Sequence, residues 1–313
     1  MEIVGCDAHV CHRIGVSHGF MRLFSAILLS LGLTSTLLVA APADAAPTTV
    51  CGSTLTAADR ARIVELSSYD AGSRELPLVQ LRRNVERLYG IVDILTENDD
   101  RRGLFALGLA SVERDAVMPL QNRPQVFQTP GWAPVISLEL LNRFLNAVRE
   151  EFSGRPVPAQ WRHYFDMAAD CRVPGQRVAM AGYNAHITVD LAYATADSRA
   201  TTTNARDFFF IVDSIAAHGN SIVTSTNREY GVDLGPILRF YVLGEGLDRV
   251  AGAGRATGPM LRAADVGYNV LTFRNGLALQ DRNMVAGARG DVRGLWNTGE
   301  TALTAFQDAG LIR

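Results

Sequence analysis

The chain has 313 residues, 48% of them apolar, and carries 30 basic against 32 acidic side chains. Near-neutrality excludes partners held by bulk charge, so no nucleic acid and no anionic membrane surface is expected as a partner. All 30 basic residues are arginine, which excludes a catalytic lysine.

Residues 1–20 show no periodicity. Met21-Arg22 then opens a short basic start, the apolar run Leu23 to Ala41 follows, and Pro42-Ala43-Asp44-Ala45 supplies an A-x-A site. That is the pattern of a cleaved secretory signal, with cleavage after Ala45. A membrane anchor is the alternative. The run is diluted by Ser, Thr and Gly, however, and no charged stop-transfer flank follows it. Translation from Met1 and from Met21 are both open. The expected organisation is 1–45 as an N-terminal extension plus signal peptide, and 46–313 as a single α-helical domain that is secreted or held in the cell envelope. The leader takes two basic and three acidic residues with it, so 28 and 29 remain, a net of −1. The remaining 268 residues suffice for one sizeable core. None of their segments is long and apolar enough to span a membrane.

Two cysteines, Cys51 and Cys171, survive the cleavage. In an oxidising compartment such a pair most simply forms one disulfide. Zinc ligation is the other use, although neither cysteine lies in a C-x-x-C pair.

Along the chain, apolar residues recur at helical spacing and no run of strict alternation stands out. Thr56 to Asp59 resembles a capping box and opens a helix to about Ser67. A second helix runs from about 77 to 97 on Leu78, Leu81, Val85, Leu88, Ile91, Val92 and Leu95. A third fits 103–117 and is ended by Met118-Pro119, with a loop over 120–134. Ser137 caps the next, which carries Leu141, Phe144 and Val148. Pro156 and Pro158 precede a helix with Trp161, Tyr164 and Phe165. A long helix over about 175–196 follows Pro174, and a Thr-rich turn leads to one over 205–217. Three more are expected at roughly 233–251, 260–285 and 292–309. The fold class is all-α, a compact single-domain multi-helix bundle.

The stretch Gly182 to Leu191 concentrates the polar signal. His186 and Asp190 lie four apart, on one helical face. Such a pair has three uses. It can supply two ligands to one metal, or form a dyad in which Asp190 orients the imidazole for acid–base work. It can also be a buried structural hydrogen bond. Elsewhere, Asn98-Asp99-Asp100-Arg101-Arg102 resembles the acidic metal motif of terpene cyclases. Asn220, Thr224 and Glu229 miss the spacing of the second element, so the run reads instead as a solvated helix end. Arg82-Arg83 and Arg101-Arg102 read as exposed faces. No G-x-S-x-G, P-loop, G-x-G-x-x-G or H-E-x-x-H motif is present.

Gly182, Asn184, Ala185, His186, Ile187, Asp190 and Leu191 match, position for position, a core that reads G-x-N-A-H-I-N-x-D-L. In this the chain resembles the domain of unknown function 5995 family, a largely actinobacterial group. Weaker matches run along most of the mature chain: Leu88-Tyr89, Thr96-Glu97, Phe144 with Ala147, Pro158 with Trp161, and Asp207-Phe208. Thr188 replaces the second Asn of the motif, Ala192 its usual Pro, and Asp213 a further Asn. The resemblance implies a helical fold and points to His186 and Asp190, but it brings no activity with it.

Two functions are consistent with these residues. One is an exported hydrolase-like enzyme with His186 as base or ligand and Asp190 orienting it. Asn184 would support that site, and His186, Asp190 and Asp207 would be the ligands of any divalent metal. Its substrate would be a small molecule or an envelope-derived compound. The other is a non-catalytic binding or scaffold protein of the envelope, in which the motif is a hydrogen-bond network between helices.

Overall fold

The computed structural model describes residues 51, 55–69, 72–235 and 259–312. The chain divides into units Met1–Asp44 and Ala45–Arg313, and every described residue belongs to the second. The expected leader lies outside the described residues, as does most of the helix expected at 233–251.

Helices and connecting turns make up the described residues, and no strand occurs among them. Helix α1 (Ala57–Ser67) starts at a reciprocal cap. Thr56 Oγ1 accepts from the Asp59 N–H at 3.1 Å, and Asp59 Oδ2 accepts from the Thr56 N–H at 3.0 Å. Helix α2 (Pro77–Glu97) has proline in its first turn, where its missing N–H costs nothing. Its predicted apolar stripe is buried from Leu81 onward, while Leu78 is half-buried. Helix α3 (Gly103–Val112) is apolar on all sides, and all ten of its residues are buried.

Beyond α3 the backbone departs from the expected stop at Met118-Pro119. A π-helical turn spans Glu113–Val117, and α4 (Met118–Gln121) continues the helix with Pro119 in its first turn. A proline ring collides with the carbonyl four residues back in a regular helix. The wider turn takes the chain out of that register first. Helix α5 (Ala133–Phe152) begins four residues before the expected cap. Ser137 is buried inside it, where its hydroxyl accepts from Gln121 Nε2 at 3.0 Å.

Helix α6 (Ala159–Ala169) precedes Cys171, which forms the expected disulfide with Cys51, their Cα atoms 5.0 Å apart. The long helix predicted over 175–196 is continuous in path but composite. It comprises α7 (Gly175–Asn184), a π-helical stretch Ala185–Asp190, and α8 (Leu191–Asp197). Helix α9 (Ala205–Ala217) follows a capped turn at Thr201, and α10 (Gly219–Tyr230) was not anticipated. Its Ser/Thr/Asn-rich sequence hides a narrow stripe, Ile222, Ser225 and Thr226, that packs on α3. Helices α11 (Pro259–Leu279) and α12 (Val285–Asp308) close the described chain; the first ends earlier and the second begins earlier than expected.

The acidic run after α2 also differs from expectation. Asp100 and Arg102 are buried as an ion pair, Oδ2 to Nη2 2.7 Å, with Glu151 3.5 Å from the same guanidinium. The Arg102 carbonyl accepts from Tyr164 Oη at 2.8 Å. The charged letters hid a buried joint between α2 and α3.

Helices α3 and α7 form the centre, in contact with each other; α2 and α10 pack on the first, α6 and α12 on the second. On Gly182 of α7 a Cβ would stand 2.6 Å from the Phe105 Cβ, so glycine sets how closely the two helices approach. Two apolar cores result. The larger joins α1 to α7 with α10, and the smaller gathers Phe127, Trp132, Phe208 and Phe273. Among the described residues no helix is long and apolar enough to cross a membrane.

Candidate functional site

Both central helices break into π-helical turns at the same place in the molecule, the seam between the two cores. A π turn widens the ring and leaves carbonyls without regular partners; single turns of this kind cluster at functional sites. In the motif turn those carbonyls find hydroxyls. Thr188 Oγ1 donates to the Asn184 carbonyl at 2.6 Å, and Thr272 Oγ1, from α11, donates to the Ile187 carbonyl at 3.3 Å. Thr188, fully buried, thus does its work through a hydroxyl where the motif has an amide.

Between the turns lies a cavity with about 140 Å³ of interior space, close to the roughly 150 Å³ of an apolar cavity that holds one benzene ring. Its walls are apolar and come from both cores: Phe105, Leu109 and Ile222 on one side, Ile136, Phe208 and Ile211 on the other. Three polar side chains interrupt this lining with atoms that have no hydrogen-bond partner: Glu113 Oε2, Tyr183 Oη and His186 Nδ1. They are 5%, 6% and 7% exposed. Position explains the trio. Glu113 opens the π turn after α3, Tyr183 is in the last turn of α7 against Gly108 of α3, and His186 follows in the second π turn. The His186 ring lies between aromatics, its centroid 5.0 Å from that of Phe105 and 6.4 Å from that of Trp161.

Burial sets the charge state of this lining. It pushes the Glu113 carboxyl up to about 8 and the Tyr183 phenol further above its usual value. It pulls the His186 imidazole down to about 3. Each shift favours the neutral form, because no charge partner stands close enough to offset desolvation. At neutral pH the imidazole is uncharged and the Glu113 carboxyl is mostly protonated.

Asp190, the neighbour of His186 on the motif helix, opens on a different space. It is 2% exposed and lines a separate, polar cleft with Arg143, Tyr193 and Trp296. Its Oδ2 accepts from Trp161 Nε1 at 2.8 Å and its Oδ1 from Gln160 Nε2 at 3.2 Å. Burial raises its pKa to about 6, against the lowering effect of Trp161, Arg143 and Gln160. His186 Nδ1 is 3.9 Å from Asp190 Oδ2, too long for a hydrogen bond. The two residues are neighbours whose polar atoms serve different surroundings.

Asn184 and Asp207 are elsewhere. Asn184 Nδ2 donates to the Trp296 carbonyl at 2.9 Å and to Glu300 Oε1 at 2.8 Å, tying α7 to α12. The same Glu300 receives Arg177 at 2.5 Å and His163 at 2.9 Å. Both Asp207 oxygens are taken, by the N–H groups of Gln128 at 2.7 Å and Thr129 at 2.6 Å. Among the described residues no group of three or more His, Cys, Asp and Glu side chains is arranged to hold a metal. His186, Asp190 and Asp207 therefore do not converge as a ligand set. Glu113 escaped sequence reasoning, although one signal was available: it is the first charged residue after ten consecutive positions, Gly103 to Val112, without one.

Fold and site define an all-α protein with a seam cavity whose few polar groups are buried and uncharged. The chain belongs to a family of unknown function, DUF5995, whose model matches residues 82–252 and so spans both π turns. No curated protein and no solved structure matches it.

Proposed function

We propose that the protein binds an apolar small molecule in the seam cavity, with His186 as its central polar contact. The observation that carries this reading is the His186 Nδ1, nearly sealed from solvent and without a partner, in a lining that is otherwise almost wholly apolar. A buried polar atom left unpaired costs about 1–3 kcal/mol. A fold that needed His186 only as structural glue would have bonded it. We further propose that the protein reaches its ligand outside the cytoplasm, as one helical domain (46–313) released from a leader (1–45). The Cys51–Cys171 disulfide supports an oxidising compartment, and an envelope-derived compound fits such a setting.

The test is titration of the purified protein with an uncharged apolar fluorophore. Saturable binding at one site per chain is expected, lost in Ile211→Trp, which fills the cavity, while the circular dichroism spectrum is unchanged. Binding that is absent, or indifferent to Ile211→Trp, overturns the reading.

A hydrolase acting on an ester is the second reading. It is favoured by the closeness of Asp190 to His186, 3.9 Å, which a rotation of the ring would convert into an orienting hydrogen bond. Against it stands an imidazole made a weak base by burial. Release of the alcohol from a small aryl ester, abolished by His186→Ala and reduced by Asp190→Asn, is its expected signature; turnover unaffected by both variants rules it out.

A further inference from the structure

The polar groups of the cavity also specify the head of the ligand, an inference that rests on the cavity reading above. Of the described residues that line it, none is an arginine, and the chain has no lysine. A ligand carboxylate or phosphate entering this site would shed its water and meet no cation. A ligand ammonium would meet Glu113, whose surroundings favour the uncharged acid. Both kinds of ion are therefore discriminated against by desolvation.

An uncharged oxygen function fits what is present. Tyr183 Oη offers a donor, the protonated Glu113 carboxyl offers a donor and an acceptor, and His186 Nδ1 offers one or the other according to its tautomer. A hydroxyl group, itself donor and acceptor, can satisfy two of these at once. A ketone or ester carbonyl can accept from Tyr183 and Glu113. The rest of the lining, Leu109, Ile136, Phe208, Ile211 and Ile222 among it, takes a hydrocarbon body.

We propose that the cavity selects small apolar molecules bearing one uncharged oxygen group, an alcohol or its ester, over the carboxylic acids of the same skeleton, and that Glu113 and Tyr183 are the residues that make this choice. Glu113 and Tyr183 act through hydrogen bonds across the two π turns, and the selection is a property of binding rather than of any reaction.

The experiment is competition. The fluorophore bound to the purified protein is displaced with 1-hexanol and, separately, with hexanoate at pH 7. Displacement by the alcohol at a concentration at least tenfold lower is expected. Glu113→Leu and Tyr183→Phe should each shrink that ratio several-fold, and Glu113→Gln, which keeps a donor and an acceptor, should largely preserve it. Equal or stronger displacement by hexanoate overturns the inference and leaves the cavity reading standing. So does a fluorophore that binds but yields to neither compound. If Glu113→Leu does not fold, Tyr183→Phe and Glu113→Gln still decide, because an unchanged ratio in the first or a collapsed ratio in the second contradicts the assignment. Failure of the fluorophore itself to bind removes the cavity reading, and this inference with it.

Discussion

Trp161 Nε1 donates to Asp190 Oδ2 across 2.8 Å, and this bond ties the carboxylate of the motif helix to α6. Trp161 is itself locked, 1% exposed and packed on Phe105, Phe144 and Tyr164. Trp161→Phe keeps much of that packing and removes the donor. The buried carboxylate then loses one of the influences that hold its pKa down to about 6, so the folded-state value rises further above its ordinary one. A raised carboxyl pKa means that the folded state binds more protons than the unfolded, and stability falls as pH rises through that window. Thermal unfolding should therefore show a loss of about 1–3 kcal/mol at pH 8, and a smaller one at pH 5. An equal loss at both pH values would show that the indole matters only as a packed ring.

Glu113 makes a larger contribution of the same sign. Its carboxyl titrates near 8 when folded and near 4.5 when unfolded. Between those values the unfolded state has given up the proton and the folded state has kept it, so stability declines as pH rises. The imidazole of His186 works in the opposite direction, since its value falls to about 3, and it costs stability as pH drops below about 6.5. Above that point Glu113 dominates within the cavity. Glu113→Gln should flatten the pH dependence of the melting temperature between 4.5 and 8, most visibly above 6.5 where His186 no longer opposes it, and leave it unchanged below 4.5. A decline of the same slope in the variant would show that the carboxyl is already ionised in the folded protein.

His186→Leu tests whether the imidazole is kept for folding or for a ligand. Replacing a buried group that has no partner with an apolar one of similar size is expected to be neutral or stabilising. Retention of such a group at a cost in stability is a mark of functional sites. The variant should melt at or above the temperature of the parent protein and lose affinity for the alcohol in the competition experiment. A drop of about 1–3 kcal/mol in urea unfolding would instead mark the histidine as a structural bond.

The elements were legible in the sequence wherever the helical period ran undisturbed. The stripe of α2 and the box at Thr56 and Asp59 are local signals, and the structure keeps them. The expectation of a His186/Asp190 pair on one face is met in position, with Nδ1 and Oδ2 3.9 Å apart, but the regular helical period could not show that the backbone between them widens into a π turn. Nothing in Ala185 to Asp190 announces a π turn, because the hydroxyls that stabilise it include Thr272, some 85 residues further on. Glu113 and His186 come to one cavity through the packing of α3 on α7, a contact that the sequence spacing does not encode. The buried pair Asp100 and Arg102 was obscured for the opposite reason. Charged side chains usually mark surface, and groups distant in sequence, Tyr164, Glu151 and the Phe152 ring among them, make their burial acceptable.

Glu300 gives the clearest stability test outside the cavity. Burial alone would raise its carboxyl pKa, but the bond from His163, the charge of Arg177 and the bond from Asn184 outweigh it and hold the value below the ordinary one. A depressed folded value contributes stability that is present above the unfolded value and lost as pH falls through the folded one. Glu300→Gln removes the charge and leaves the Arg177 guanidinium, 2% exposed, without its carboxylate. Breaking a buried pair from one side costs about 3–5 kcal/mol, because an uncompensated charge remains. Urea unfolding at pH 7 should show a loss of that order, shrinking as pH falls through the folded value, where the parent protein gives up the same contribution. Arg177→Met combined with Glu300→Gln removes the stranded charge as well and should recover part of the loss. A double variant no more stable than Glu300→Gln alone would place the value of Glu300 in its bonds to Asn184 and His163, the side chains that join α12 to the motif helix and to α6.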